Sequence, residues 1–137
     1  MSQIKNFEQS FKNEVSSYPG GERVLNCYLC GTCTAGCPIS EIEAEYNPRR
    51  IMRKILLGKR EELLNSGEIW KCYQCHTCVA HCPQDVRLAD IIRVLRGLAA
   101  EEWFAGPELA GKVKEIDLNT RKQRLEQVRN LLSKELF

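Results

Sequence analysis

A twelve-residue cysteine pattern that recurs once, 45 residues downstream, restricts this chain more than any other feature of it. Cys27-Tyr28-Leu29-Cys30-Gly31-Thr32-Cys33-Thr34-Ala35-Gly36-Cys37-Pro38 lies over Cys72-Tyr73-Gln74-Cys75-His76-Thr77-Cys78-Val79-Ala80-His81-Cys82-Pro83, with 8 of 12 positions identical. Tyrosine, threonine, alanine and proline are shared as well as cysteine, so the copies read as a duplicated unit. Two copies are too few for a solenoid, which needs about three or more to bury a continuous core. Both copies spell C-x2-C-x2-C-x3-C-P, and together they use all eight cysteines of the 137 residues.

Cysteine content near 6% lies below the roughly 8 to 10% of small disulfide scaffolds. The start, Met1-Ser2-Gln3-Ile4-Lys5-Asn6-Phe7-Glu8, has no leader-like apolar stretch, and no run approaches the ~18 apolar residues of a membrane span. A cytoplasmic protein with no direct membrane insertion is expected, in a compartment where clustered cysteines bind metal more often than they pair. Twenty basic against 18 acidic residues give a formal charge of +2, which argues against nucleic acid as a partner. A mass of 15.7 kDa leaves room for one modest core and none for a separate catalytic domain. With no cysteine left over, no Ser/His/Asp grouping and no nucleotide-binding glycine loop, no catalytic residue is assigned and the chain is not expected to be an enzyme on its own.

The run C-x2-C-x2-C-x3-C-P is the bacterial spacing for cubane iron-sulfur ligation. Three thiolates three residues apart wrap three iron corners while backbone amides face the sulfides, and the fourth corner is reached from elsewhere. Two [4Fe-4S] clusters are therefore expected. In two-cluster ferredoxins the last cysteine of each run ligates the other cluster. The same crossing here assigns Cys27, Cys30, Cys33 and Cys82 to one cluster and Cys72, Cys75, Cys78 and Cys37 to the other. It would staple the halves together and couple folding to cluster assembly, leaving the apo-protein loose or insoluble. Zinc is the competing metal, but its structural sites pair C-x2-C knuckles across a long spacer, whereas three cysteines crowd each loop here.

Pro38 and Pro83 turn the backbone away after the fourth cysteine. Tyr28 and Tyr73 either shield the clusters from water or serve as ordinary core aromatics, and the same choice holds for Trp70 and Trp103. Gly31 and Gly36 correspond to His76 and His81, so either the histidines donate to sulfur in one half only, or they are solvated loop residues. Arg49, Arg50, Arg53, Lys54, Lys59 and Arg60 form a stretch with no acid, either an acidic partner's dock or a solvated face paired with Glu61 and Glu62.

The segments around the loops read as helices. Ile4, Phe7, Phe11 and Val15 share a face, ended by Tyr18-Pro19-Gly20-Gly21. Asn47 is placed to cap a helix with Pro48 at its first position, Ile51, Ile55 and Leu56 on one side and Gly58 as a stop. A short helix through Leu63 and Leu64 precedes Ser66-Gly67. Asp85 is the expected N-cap of a helix carrying Leu88, Ile91, Ile92, Leu95 and Leu98, interrupted by Trp103 or by Gly106-Pro107. A last helix bears Leu125, Val128, Leu132 and Leu136, capped near Asn119 or Thr120. No period-two strand is evident, so the fold is expected to be all-α. The expected organisation is an N-terminal amphipathic helix (1–21), a two-cluster domain (22–106) and a C-terminal helical tail (107–137). The two ends either grip neighbouring subunits or pack on their own domain.

The two motifs, the linker beginning Asn47-Pro48-Arg49-Arg50-Ile51-Met52-Arg53 and the approach Ile69-Trp70-Lys71-Cys72 resemble the C subunit of heterodisulfide reductase (HdrC) over about residues 24 to 98. More broadly the chain is similar to the α-helical ferredoxin domain of succinate dehydrogenase, fumarate reductase and glycolate oxidase. The 34 residues between Cys37 and Cys72 leave room for helices that small clostridial-type ferredoxins lack. The resemblance to heterodisulfide reductase implies a relay role in a hetero-oligomer, carrying electrons between the flavin- and cluster-bearing A subunit and the disulfide-reducing B subunit with its CCG motifs. This chain has no adjacent cysteine pair, so disulfide chemistry would belong to a partner. A free ferredoxin-like carrier, an iron-sulfur subunit of another oxidoreductase and a zinc-stabilised adaptor are the alternatives.

Overall fold

A computed structural model of the chain describes residues 10–102 and 104–135. Among them every regular element is helical, so the fold is all-α as expected. The chain divides into two compact units, Met1–Ala105 and Gly106–Phe137.

In the first unit α1 (Ser10–Ser17) buries Phe11 and Val15 completely. The rest of that predicted face, Ile4 and Phe7, lies outside the described residues. Gly21 receives the returning chain where a Cβ would stand 2.0 Å from the Val15 carbonyl oxygen, so no other residue fits there. Two short helices, α2 (Thr32–Ala35) and α3 (Pro38–Ile42), accompany the first cysteine motif. In α4 (Pro48–Leu56) Pro48 occupies the first turn and the Asn47 side chain accepts from the Arg50 amide at 3.0 Å, the cap expected for this pair. Its buried face is Ile51, Met52 and Ile55, and Gly58 follows at φ +73° with the Lys59 amide donating back to the Lys54 carbonyl.

The core continues through α5 (Arg60–Leu64), which buries Leu63 and Leu64, and α6 (Glu68–Lys71), which buries Ile69. The second motif carries α7 (Thr77–His81), and α8 (Leu88–Glu101) drives Ile91, Ile92 and Leu95 into the same core. Each fully buried side chain of this size contributes roughly 1.5–3 kcal/mol. This core, under α1, α4 and α8, fixes where both cysteine loops emerge.

Two expected caps differ. Asp85 does not cap α8: it has φ +49°, its carboxylate accepts from Arg23 at 2.7 Å, and Arg87 at φ +64° stands at the helix start without a side-chain cap. The C-terminal helix does not begin near Asn119 or Thr120. It is α9 (Pro107–Glu135), 29 residues long, in which the Thr120 hydroxyl merely donates to the Ile116 carbonyl. Pro107 opens it, as proline at a first helical position can. α8 ends at Glu101, before Trp103, which like Leu136 lies outside the described residues. Among the described residues no helix is long and apolar enough to cross a membrane.

Candidate metal centres

The two motifs fold alike. Cys27 and Cys72 are extended, and the next residue but one kinks into positive φ, +61° at Leu29 and +62° at Gln74. That kink turns each amide back so that Leu29 N donates to Cys27 Sγ and Gln74 N to Cys72 Sγ, both at 3.4 Å. Cys30 and Cys75 come next, both exposed, each sulfur 3.3 Å from a threonine hydroxyl, Thr32 or Thr77. Gly31 (φ +85°) and His76 (φ +62°) then start the helical turns carrying Cys33 and Cys78. Cys37 and Cys82 are extended, the conformation favoured for a residue before proline. The Val86 amide adds a further donor, 3.5 Å from Cys82 Sγ.

The short helices α2 and α7 lie side by side, so close that a Cβ at Gly36 would stand 3.6 Å from Thr77 Cγ2. This apposition brings the fourth cysteine of each motif across to the other. One cavity is lined by Cys27, Cys30, Cys33 and Cys82, a second by Cys37, Cys72, Cys75 and Cys78, and Cys78 also borders the first.

Burial pushes the Cys27, Cys33 and Cys72 thiols up and Cys78 up to about 11, while the Thr32 hydroxyl lowers Cys30. At neutral pH the buried sulfurs are therefore thiols, and a metal must displace their protons. No three of the described His, Cys, Asp or Glu side chains are grouped to hold a single metal ion. A tetrahedral zinc site would draw its sulfurs to about 3.8 Å of one another, given bonds of about 2.3 Å. A cubane spreads one thiolate to each corner and leaves its sulfur open to N–H donors. Four cysteines around each cavity, with two backbone amides aimed at sulfur in the first and one in the second, fit that group.

Tyr28 and Tyr73 line the cavities at 58% and 47% exposure, so they flank the surface side of the two sites and are not core aromatics. Trp70 is half-buried, with the Arg96 guanidinium 5.3 Å from its ring centre. His76 and His81 are exposed and neither donates to a sulfur among the described residues, because His76 is spent on the turn that starts α7 and His81 ends the same helix at the surface. The side-chain donor lies earlier in the motif. Gln74 Nε2 lies 3.5 Å from Cys72 Sγ and 3.1 Å from the Ala89 carbonyl. Its mismatch with Leu29 is the signal that sequence reasoning passed over. Tyr46, also missed, is buried on the second cavity, its hydroxyl held protonated chiefly by burial.

The basic stretch is largely spent internally. Lys54 pairs with Glu68 and Glu62, Lys59 with Glu62, Arg60 with Glu14 and Glu102, and Arg49 donates to the Leu29 carbonyl at 2.6 Å. Arg50 and Arg53 are exposed.

Residues 26–87 match the family described as a 4Fe-4S dicluster domain. The chain is 38% identical over 109 residues to the C2 subunit of the H(2)/formate:CoB-CoM heterodisulfide,ferredoxin reductase of Methanococcus maripaludis, covering 74% of this chain and 58% of that one. It is 46% identical over 76 residues to the second iron-sulfur C subunit of the CoB--CoM heterodisulfide reductase of Methanocaldococcus jannaschii, covering 56% and 40%. Identity to the C subunit of the Ferredoxin:CoB-CoM heterodisulfide reductase of Methanosarcina mazei is 35% over 115 residues, covering 77% and 70%. The chain spans about half the length of the first two of these relatives.

Proposed function

Because the chain belongs to the family of heterodisulfide reductase C subunits, we propose that it is a non-catalytic electron-transfer component that relays single electrons through two [4Fe-4S] clusters. The observation that carries this reading is the pair of cavities, each bordered by three cysteines of one motif and the fourth of the other. Cys27, Cys30, Cys33 and Cys82 would hold one cluster, and Cys72, Cys75, Cys78 and Cys37 the other. Bound there, the clusters supply reversible one-electron storage at thiolate-ligated iron.

The polypeptide's own part is positional. The α4 and α8 core fixes the two loops, the amides of Leu29, Gln74 and Val86 donate to ligand sulfur, and Cys30 and Cys75 stand at the surface, where an electron enters or leaves with least intervening protein.

The partners we propose are a flavin and iron-sulfur protein like the A subunit of heterodisulfide reductase on one side and a CCG-containing disulfide reductase like its B subunit on the other, in a cytoplasmic complex. α9 supports a docking role: among its described residues none is buried, and Ile116, Leu118, Leu125, Leu131 and Leu132 are exposed. Anaerobic purification of the native protein tests the reading. Elution far above 15.7 kDa together with a CCG-type protein is expected. Elution alone with its full iron content would make it a free carrier instead.

A further inference from the structure

The two halves agree so closely in backbone that their differences become informative. Leu29 and Gln74 share the same kink, the same 3.4 Å amide-to-sulfur contact and the same place between the first two cysteines. At this position only the side chain differs; elsewhere the first half adds the Val86 amide, 3.5 Å from Cys82 Sγ, and the second adds the buried Tyr46 hydroxyl on its cavity. Leu29, half-buried, packs against the apolar core, whereas the Gln74 amide reaches Cys72 Sγ. A guanidinium attends each half, Arg49 donating to the Leu29 carbonyl and Arg96 to the Cys72 carbonyl, so formal charge does not separate them. Surface exposure does not separate them either, since Cys30 and Cys75 are both exposed and the other six cysteines are all half-buried.

The orientation of the Gln74 amide is fixed by its surroundings. Nε2 faces two acceptors, Cys72 Sγ and the Ala89 carbonyl, and a flipped amide would set oxygen against both. The cost falls on Oε1, which is buried without a partner. Leucine at this position, as in the first motif, would avoid that orphaned acceptor. A side chain that carries a folding penalty in order to aim an N–H at a ligand sulfur is better explained by what the N–H does there than by packing.

Resting on the iron-sulfur reading above, we propose that Gln74 makes the Cys72 half the one in which a singly reduced chain holds its added electron. A donor to ligand sulfur withdraws charge from it and favours the more negative, reduced state. Tyr46 acts in the same sense, being a buried hydroxyl on the second cavity only. The relay thereby has a built-in downhill direction, from the Cys27 half to the Cys72 half.

The test is an anaerobic titration of the full chain with dithionite as the one-electron reductant, each cluster followed by its paramagnetic signal. Wild type is compared with Gln74→Leu and with Leu29→Gln. Two distinct potentials are expected in wild type. Gln74→Leu lowers the higher one, shifting the electron's distribution between halves about tenfold, which is 59 mV for one electron. Leu29→Gln raises the lower one instead, and Gln74→Leu leaves the melting temperature unchanged or higher. Unshifted potentials in either variant carrying its full iron would overturn the role of Gln74 while leaving the two clusters intact. Wild-type protein without iron would overturn the underlying reading as well.

Discussion

Arg60 holds Glu14 with both arms of its guanidinium, Nε to Oε2 at 2.8 Å and Nη2 to Oε1 at 2.9 Å, tying α5 to α1. The same group donates through Nη1 to Glu102 Oε2 at 2.6 Å beyond the end of α8, and it lies 5.9 Å from the Phe11 ring centre. Three helices of the first unit thus meet on one cation. Arg60→Ala is expected to cost about 2–3 kcal/mol in denaturant unfolding of the loaded protein, as loss of hydrogen bonds to charged groups does, and Arg60→Lys, which lacks the fork, to recover less than half. A loss within the range of about 0–1 kcal/mol would reduce this junction to an ordinary surface pair.

The junction also has a pH signature. Its hydrogen bonds to Arg60 hold the Glu102 carboxyl below the usual carboxylate range. The folded value therefore lies under the unfolded one, about 4.3. The contribution is complete above that unfolded value and is lost as pH falls through the folded one. Thermal melts of wild type against Glu102→Gln should differ at neutral pH and converge in acid as pH falls through the folded value. A constant gap across that range would remove the linkage.

Crossed ligation is checked by counting iron in paired substitutions. Cys30→Ser with Cys82→Ser removes two ligands from one cavity, so about four irons per chain should remain in the other. Cys75→Ser with Cys82→Ser touches both cavities and should lose both centres. If each motif instead closed on its own cluster, the two results would exchange places.

Gly31 and His76 explain one asymmetry of the repeat. Both have positive φ, but a Cβ at Gly31 would stand 3.3 Å from Arg49 Cδ, whereas the second motif accepts a histidine at the strained angle of +62°. His76→Gly should raise stability by up to about 1 kcal/mol, the left-handed penalty partly offset by unfolded-chain entropy. Gly31→Ala should lower it. Melting temperatures of the loaded variants decide the point, and a destabilised His76→Gly would mean that the imidazole carries a contact of its own.

The cysteine framework and the cap at Asn47-Pro48 were legible because spacing and local chemistry alone dictate them. Helix starts without a side-chain signature were not. Asp85 resembles a cap, yet its carboxylate is claimed by Arg23, 62 residues away in sequence, and Arg87 begins α8 by backbone geometry alone. α9 starts at Pro107 because proline opens helices, but with no buried side chain among its described residues it has little apolar period to mark that start. The basic run looked like a surface because Glu14, Glu68 and Glu102 lie outside it in sequence and reach it only through the fold. At the cavities the substitution of glycine by histidine drew attention to titratable rings, while the plainer exchange of leucine for glutamine proved to be the one that touches sulfur.

Iron and acid-labile sulfide, measured per folded chain after anaerobic isolation, test the account at its centre. Two thiol-lined cavities holding [4Fe-4S] groups require about eight of each, in a brown protein. A colourless chain with the same helical content and neither iron nor sulfide would contradict it.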